Sequence, residues 1–200
     1  MRTYEAFYIQ GTPDWDKLPV APIDNYLWSD VRSIIPSAQL GWDETGFYVR
    51  LQAVEPDILC RFDGDLDPVC QDSCLEFFFC PEGEGDLYFN FEVNPNGSFY
   101  VGYGRTSPAR CRLYRKNWKQ LLQAEPFRTE NGWGITYKVP VEIIRWYVPD
   151  FKLEAGMTIR GNFFKCGDDT AQEHYMSWNA VDVPHPNFHL PDYFGRITLK

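Results

Sequence analysis

The chain has 200 residues, 44% apolar and 24% charged, with a formal net charge of −9. That is enough apolar material for a large domain with its own core, without disulfide or metal staples. The charge has the wrong sign for nucleic acid or an anionic membrane surface, which both demand a cationic footprint, and no apolar run reaches the length of a membrane span.

Met1–Gly11 lacks the basic start and apolar block of an export signal, so a cytoplasmic chain is expected. The six cysteines, Cys60, Cys70, Cys74, Cys80, Cys111 and Cys166, include no Cys-x-x-Cys pair. Free thiols are expected, not a zinc knuckle or a disulfide framework. Seven Trp and twelve Tyr exceed what a core needs, so some are expected to form a stacking surface.

Residues 15–36 read as irregular, with a helical turn over residues 25–31. Ala38–Trp42 and Gly46–Val54 read as a hairpin joined by Asp43-Glu44-Thr45. Asp63, Asp65 and Asp67 open like a calcium-binding loop. Pro68 stands where such a loop needs Gly, and Cys74 where it needs Glu, so the motif fails as an EF-hand.

The most informative stretch runs from Asp72 to Cys80. Read as a strand, it points Leu75, Phe77 and Phe79 one way and Cys74, Glu76, Phe78 and Cys80 the other. A lone carboxylate among such residues is costly to bury. Glu76 must therefore meet water, a polar cleft or a cation.

Leu87–Val93 and Gly97–Tyr103 continue a meander across the turn Asn94-Pro95-Asn96-Gly97. Residues 110–123 are basic, with a short helix over residues 117–122. Pro126–Thr129 and Gly132–Val139 form a further hairpin, and residues 141–147 hold a helical turn. Thr158–Cys166, Glu173–Ser177 and Phe194–Leu199 close the strand list.

So many short alternating strands predict an all-β fold. The expected architecture is an antiparallel β-sandwich with one or two short helices, spanning residues 1–200 as one domain. If the strands share a sheet, one face gathers Arg50, Gln52, Glu76, Asn90, Glu92, Arg160 and Asn162. Such a face can hold hydroxyl groups from both sides, and it is also what an ordinary solvated sheet shows.

The last forty residues contain Gly161-Asn162-Phe163-Phe164, then His174-Tyr175-Met176-Ser177-Trp178-Asn179, then Phe188-His189-Leu190-Pro191 and Phe194-Gly195. With the strand at Ser73–Phe78, the run Tyr88–Asn94 followed by Gly97, the hairpin at Trp42–Val49 and the strand at Trp133–Pro140, this order resembles the family 9 carbohydrate-binding modules. The likeness is strongest to the free-standing bacterial branch and covers roughly residues 20–200. It implies a β-sandwich that binds a mono- or oligosaccharide without cleaving it. Two Trp side chains sandwich the sugar in that family, and charged and amide groups hold its hydroxyls. The resemblance assigns one wall to Trp178 and a site carboxylate to Glu76.

The loop that should carry the second Trp reads Pro68-Val69-Cys70-Gln71, leaving Phe62 or Tyr103 as substitutes. The further binding candidates are Asn90, Glu92, Arg160, Asn162 and Arg105. The basic run Arg105, Arg110, Arg112, Arg115 and Lys116 reads as a solvated segment or as a rim for acidic or highly hydroxylated sugars. Structural calcium is a property of the family, and the acidic turn at Asp63, Asp65 and Asp67 is where it would be sought.

Two other readings stand beside this one. A scaffold or partner-binding domain would keep the fold and lose the pocket, and a buried Trp178 would favour it. A glycoside-active enzyme would use Glu76 and Glu92 as its carboxylate pair, but directly paired strand residues sit closer than a hydrolase needs. His185 and His189 are four apart, yet Pro184 and Pro186 argue against the helix that would align them as metal ligands.

Overall fold

The computed structural model describes residues 1–106 and 109–200. Its strands are β1 (Thr3–Tyr8), β2 (Ala21–Pro22), β3 (Asn25–Leu27), β4 (Ile35–Asp43), β5 (Gly46–Val54), β6 (Cys74–Cys80) and β7 (Tyr88–Val93). They continue with β8 (Phe99–Gly104), β9 (Arg110–Arg112), β10 (Glu125–Thr129), β11 (Gly132–Pro140), β12 (Thr158–Gly167), β13 (His174–Ser177) and β14 (Gly195–Leu199). Two short helices, α1 (Trp118–Leu121) and α2 (Val141–Arg145), are the α-helical content among the described residues. Neither is long and apolar enough to cross a membrane.

The strands hydrogen-bond in the order β10-β11-β5-β4-β1-β14-β12-β6-β7-β8-β9, with β13 beside β12 and β3. β1 makes the sheet continuous. Thr3–Ala6 pair parallel with Arg196–Leu199 of β14, and Phe7 and Tyr8 pair parallel with Gly41 and Trp42 of β4. A purely antiparallel fold is therefore corrected to a mixed sheet that curls so that its two halves share one core. β1 carries its own alternation, with Tyr4 and Ala6 buried between exposed Thr3 and Glu5. Its partners lie far along the chain, so no local hairpin signal marks it.

Alternation sets the core. Phe47, Val49, Leu51 and Ala53 of β5 and Trp133, Ile135, Tyr137 and Val139 of β11 point inward from one half. Leu75, Phe77 and Phe79 of β6, with Phe89, Phe91 and Val93 of β7, point inward from the other. Phe47 bridges the two halves, 6.3 Å from Phe77 and 5.4 Å from Phe79 between ring centroids. Residues 25–27, read as the start of a helical turn, are instead a strand paired with Ser177–Tyr175. Arg50 and Gln52 lie on β5 in the other half, so they do not share a face with Glu76.

One polar network ties the halves together from inside. Glu55, just beyond β5, accepts from Lys165 Nζ of β12 (3.0 Å), Ser73 Oγ (2.7 Å) and Trp133 Nε1 of β11 (2.6 Å). Lys165 Nζ also reaches His174 Nε2 at 2.6 Å, and His174 Nδ1 lies 2.7 Å from the Gln172 carbonyl. The side chains of Glu55, Ser73, Trp133, Lys165 and His174 are all buried, and the lysine and glutamate neutralise one another.

Candidate functional site

The other face of β6, β7 and β12 carries a second apolar cluster that includes Phe78, Tyr88 and Phe164. Residues 181–194 fold over it, with Phe188 stacked on Phe164 at 4.2 Å and His189 stacked on Phe78 at 5.2 Å. These contacts anchor the segment and hold it off the rest of the face. The space left is a cleft of about 780 Å³, within the range of small-molecule sites.

Strand alternation supplies its floor. Glu76 comes from β6 and Glu92 from β7, directly paired in register. Arg110 and Arg112 come from β9, two apart and therefore on one face. Trp28, Tyr100 and Tyr175 stand half-buried around the opening. Trp28 meets Tyr175 edge-on at 5.7 Å and lies tilted against Phe188 at 5.8 Å. Its indole Nε1 donates to the Val183 carbonyl at 2.7 Å, which leaves the ring faces uninvolved in that bond. Trp28 also has φ of 53°, a left-handed conformation that costs energy in a residue with a bulky side chain.

The charges are close to self-compensating. Burial, then the charge of Glu92, pushes the Glu76 carboxyl well above the usual range. Burial likewise raises Glu92, to about 7, against the pull of Arg110. Asn90 stands behind Glu92 and donates to it at 2.8 Å. Arg110 Nη1 lies 2.8 Å from His189 Nε2, while Tyr88 Oη lies 2.9 Å from His189 Nδ1. Burial and Arg110 together lower His189 to about 3, so the ring is neutral and can accept from the guanidinium. The cleft thus offers acceptors at Glu76 and Glu92, donors at Arg110 and Arg112, and aromatic walls.

The expected stacking wall, Trp178, is not part of it. Only 3% of Trp178 is exposed, and it packs edge-on against Tyr4 and Phe163 inside the main core. The cause is strand phase. Trp178 continues the inward side of Met176 on β13, whereas Tyr175 takes the outward side and reaches the cleft.

Three further candidates stand elsewhere. Arg160 donates to the carbonyls of Gly83 and Gly85 at 3.0 and 2.6 Å, pinning a turn. Asn162 donates to the Asn179 carbonyl at 2.9 Å. Arg105 is exposed beyond β8 and does not line the cleft. Nor do the two substitutes for the second wall. Tyr103 packs on Phe89 and Tyr147, and Phe62 sits under Arg61.

In the acidic turn, Asp65 accepts from the backbone N–H of Asn117 at the start of α1, and Asp67 from that of Gly64. Among the described residues this turn does not bring three ligand atoms together. Of the sequence candidates, the structure joins Glu76 and Glu92 in one cleft and puts Asn90 behind them. Sequence reasoning missed Trp28, Tyr100, Asp168, Tyr175 and Phe188. The alternation of Arg110 and Arg112 within the basic run was the legible sign of β9.

Residues 10–199 match the model of Carbohydrate-binding family 9, and the chain belongs to that family. Similar folds occur in a protein from Bacteroides uniformis ATCC 8492 provisionally described as carbohydrate-binding. That protein is 22% identical with a TM-score of 0.88, over 100% of this chain and 99% of that one. A family 9 module from Caldicellulosiruptor kristjanssonii, solved with glucose and with cellotriose, is 14% identical with a TM-score of 0.72 in each complex. The matches cover 100% of this chain and 96% and 94% of those. No curated protein matches the chain.

Proposed function

We propose that the chain binds a mono- or oligosaccharide non-catalytically in the cleft between β6–β9 and residues 181–194. Trp28 and Tyr175 offer the apolar walls for a sugar ring. Glu76 and Glu92 accept from its hydroxyls, and Arg110 and Arg112 donate to them. The observation that carries this reading is the meeting of aromatic faces with paired carboxylates and guanidinium groups in one cleft of ligand size. Family membership supports it, as do the glucose and cellotriose complexes of the Caldicellulosiruptor module.

Burial of Trp178 favours the scaffold reading at that residue. The cleft answers it by supplying walls from β13 and from the segment around Trp28. Directly opposed carboxylates on neighbouring strands leave no room for a sugar bond between them, which supports binding without hydrolysis.

The test is calorimetric titration with glucose, cellotriose and a wider glycan array, followed by indole fluorescence. Binding is expected in about the millimolar to high-micromolar range. Trp28→Ala should weaken it about tenfold or more, since aromatic stacking contributes on the order of 1–3 kcal/mol. Glu76→Gln should weaken it through loss of a hydrogen bond worth about 0.5–1.5 kcal/mol. No saturable binding to any saccharide, or unchanged binding by Trp28→Ala, would return the chain to the scaffold reading.

A further inference from the structure

Beneath the cleft, Cys74 of β6 and Cys166 of β12 stand opposite one another in register, and Glu76 lies two residues along β6 on the same face. One atom from each of the three side chains lies within 4.8 Å of the others. Glu76 Oε1 is 3.1 Å from Cys166 Sγ and 3.8 Å from Cys74 Sγ. These values bracket the spacing of about 3.5–3.8 Å between donors of a tetrahedral zinc site with S and O ligands.

The carboxylate points at this pair and is otherwise unsupported. It is 2% exposed, Oε2 has no hydrogen-bond partner, and Oε1 meets only the two thiols. A buried carboxylate with no N–H, O–H or cation beside it is costly. Arg110, a guanidinium of the same cleft, is engaged with His189 and Tyr88. Glu92 and Asp168 line the same cleft, with Arg110 and Arg112 offsetting their charge.

We propose that Cys74, Cys166 and Glu76 form a three-ligand site for a thiophilic divalent cation, with zinc(II) the best match to two sulfurs and one carboxylate oxygen. Glu76 and Cys166 line the cleft while Cys74 is sealed behind them, so the entry path and the fourth coordination position open toward it. Each thiol gives its proton to solvent as its sulfur binds the metal. The donors come from strands far apart in sequence, so no Cys-x-x-Cys spacing announces them. The proposal does not depend on sugar binding.

The test loads metal-free, reduced protein with zinc(II) and, as a spectroscopic probe, cobalt(II). The expected result is one equivalent bound per chain. Cobalt should give a thiolate-to-metal charge-transfer band with the intense visible absorption of a tetrahedral site. With a thiol reagent present under mildly unfolding conditions, zinc loading should slow the reaction of two thiols. Cys74→Ser and Cys166→Ser should each lose the band. Each should also lower zinc affinity by more than the roughly 10–100-fold that losing an outer partner costs. Cys111→Ser, whose residue is exposed on β9, should change nothing. The wild-type readouts need no variant to fold. Absence of a cobalt–thiolate band in the wild type would overturn the proposal. So would protection of thiols other than Cys74 and Cys166, or a Cys74–Cys166 disulfide in protein purified without reductant.

Discussion

Two tryptophans show how far a single residue can be read. Trp178 carried the expectation of a binding wall, and it is a core residue whose six-membered ring would clash with any side chain placed at Gly195. Replacing it with Ala should destabilise the protein by about 3–5 kcal/mol, the usual cost of emptying a large buried aromatic site. Trp28→Ala, at a half-buried rim, should cost only about 1–2 kcal/mol. Urea denaturation of both variants checks this, and a Trp178→Ala protein as stable as wild type would contradict the packing. The phase of β13 was available in the sequence, because Glu173–Ser177 reads as a strand and Met176 fixes its inward side. Trp28 was not available in the same way. It sits in an irregular segment with a left-handed backbone, where no periodicity says which way a side chain points.

At the scale of elements, turns and strand faces were the legible part. The faces of β5, β6, β7 and β12 fall as alternation predicts, and the hairpins around residues 43–46 and 129–132 stand where their turn residues put them. The link between β7 and β8 shows why. Asn94 Oδ1 accepts from the backbone N–H of Asn96 and Ser98, and its Nδ2 donates to the Phe62 carbonyl and to Asp72. Gly97 closes the turn at φ of 78°, a conformation that costs other residues about 1 kcal/mol. Gly97→Ala should lower stability by roughly that amount, measured as a shift in urea midpoint at unchanged slope; no shift would mean the turn tolerates a side chain there. The elements missed were β1, β2, β3 and β9. Each is short or pairs with a strand remote in sequence, so the alternation of β1 and β9 stood without a hairpin partner or enough length to mark a strand.

At the scale of the molecule, the Glu55–Lys165–His174 network gives the fold an acid limit. Burial, then the charge of Lys165, lowers His174 to about 4, so the folded state keeps the ring neutral. The unfolded chain takes up a proton near the ordinary value of about 6.5. Stability from this residue is therefore complete above about 6.5 and is lost as pH falls from there toward 4. Burial works against the charge on Glu55, but Lys165 and the Trp133 and Ser73 hydrogen bonds outweigh it and lower its titration, so it acts in the same direction. Thermal melts between pH 7.5 and 4.5 should show a steeper loss for wild type than for His174→Asn; parallel curves would remove His174 as the cause. This network was invisible in the sequence because its members are scattered over more than a hundred positions and only the folded sheet assembles them.

β1 holds its place in the sheet by pairing with β14, the last strand of the chain. Thr3 and Arg196 pair across almost the whole run of strands, so β1 can dock only after the strands between them have come together. Until then the inner edges of both halves remain open, and the core between them stays unsealed. The edges left open before β1 docks are the ones a second copy could occupy, so the aromatic interior is most prone to aggregation just before that step.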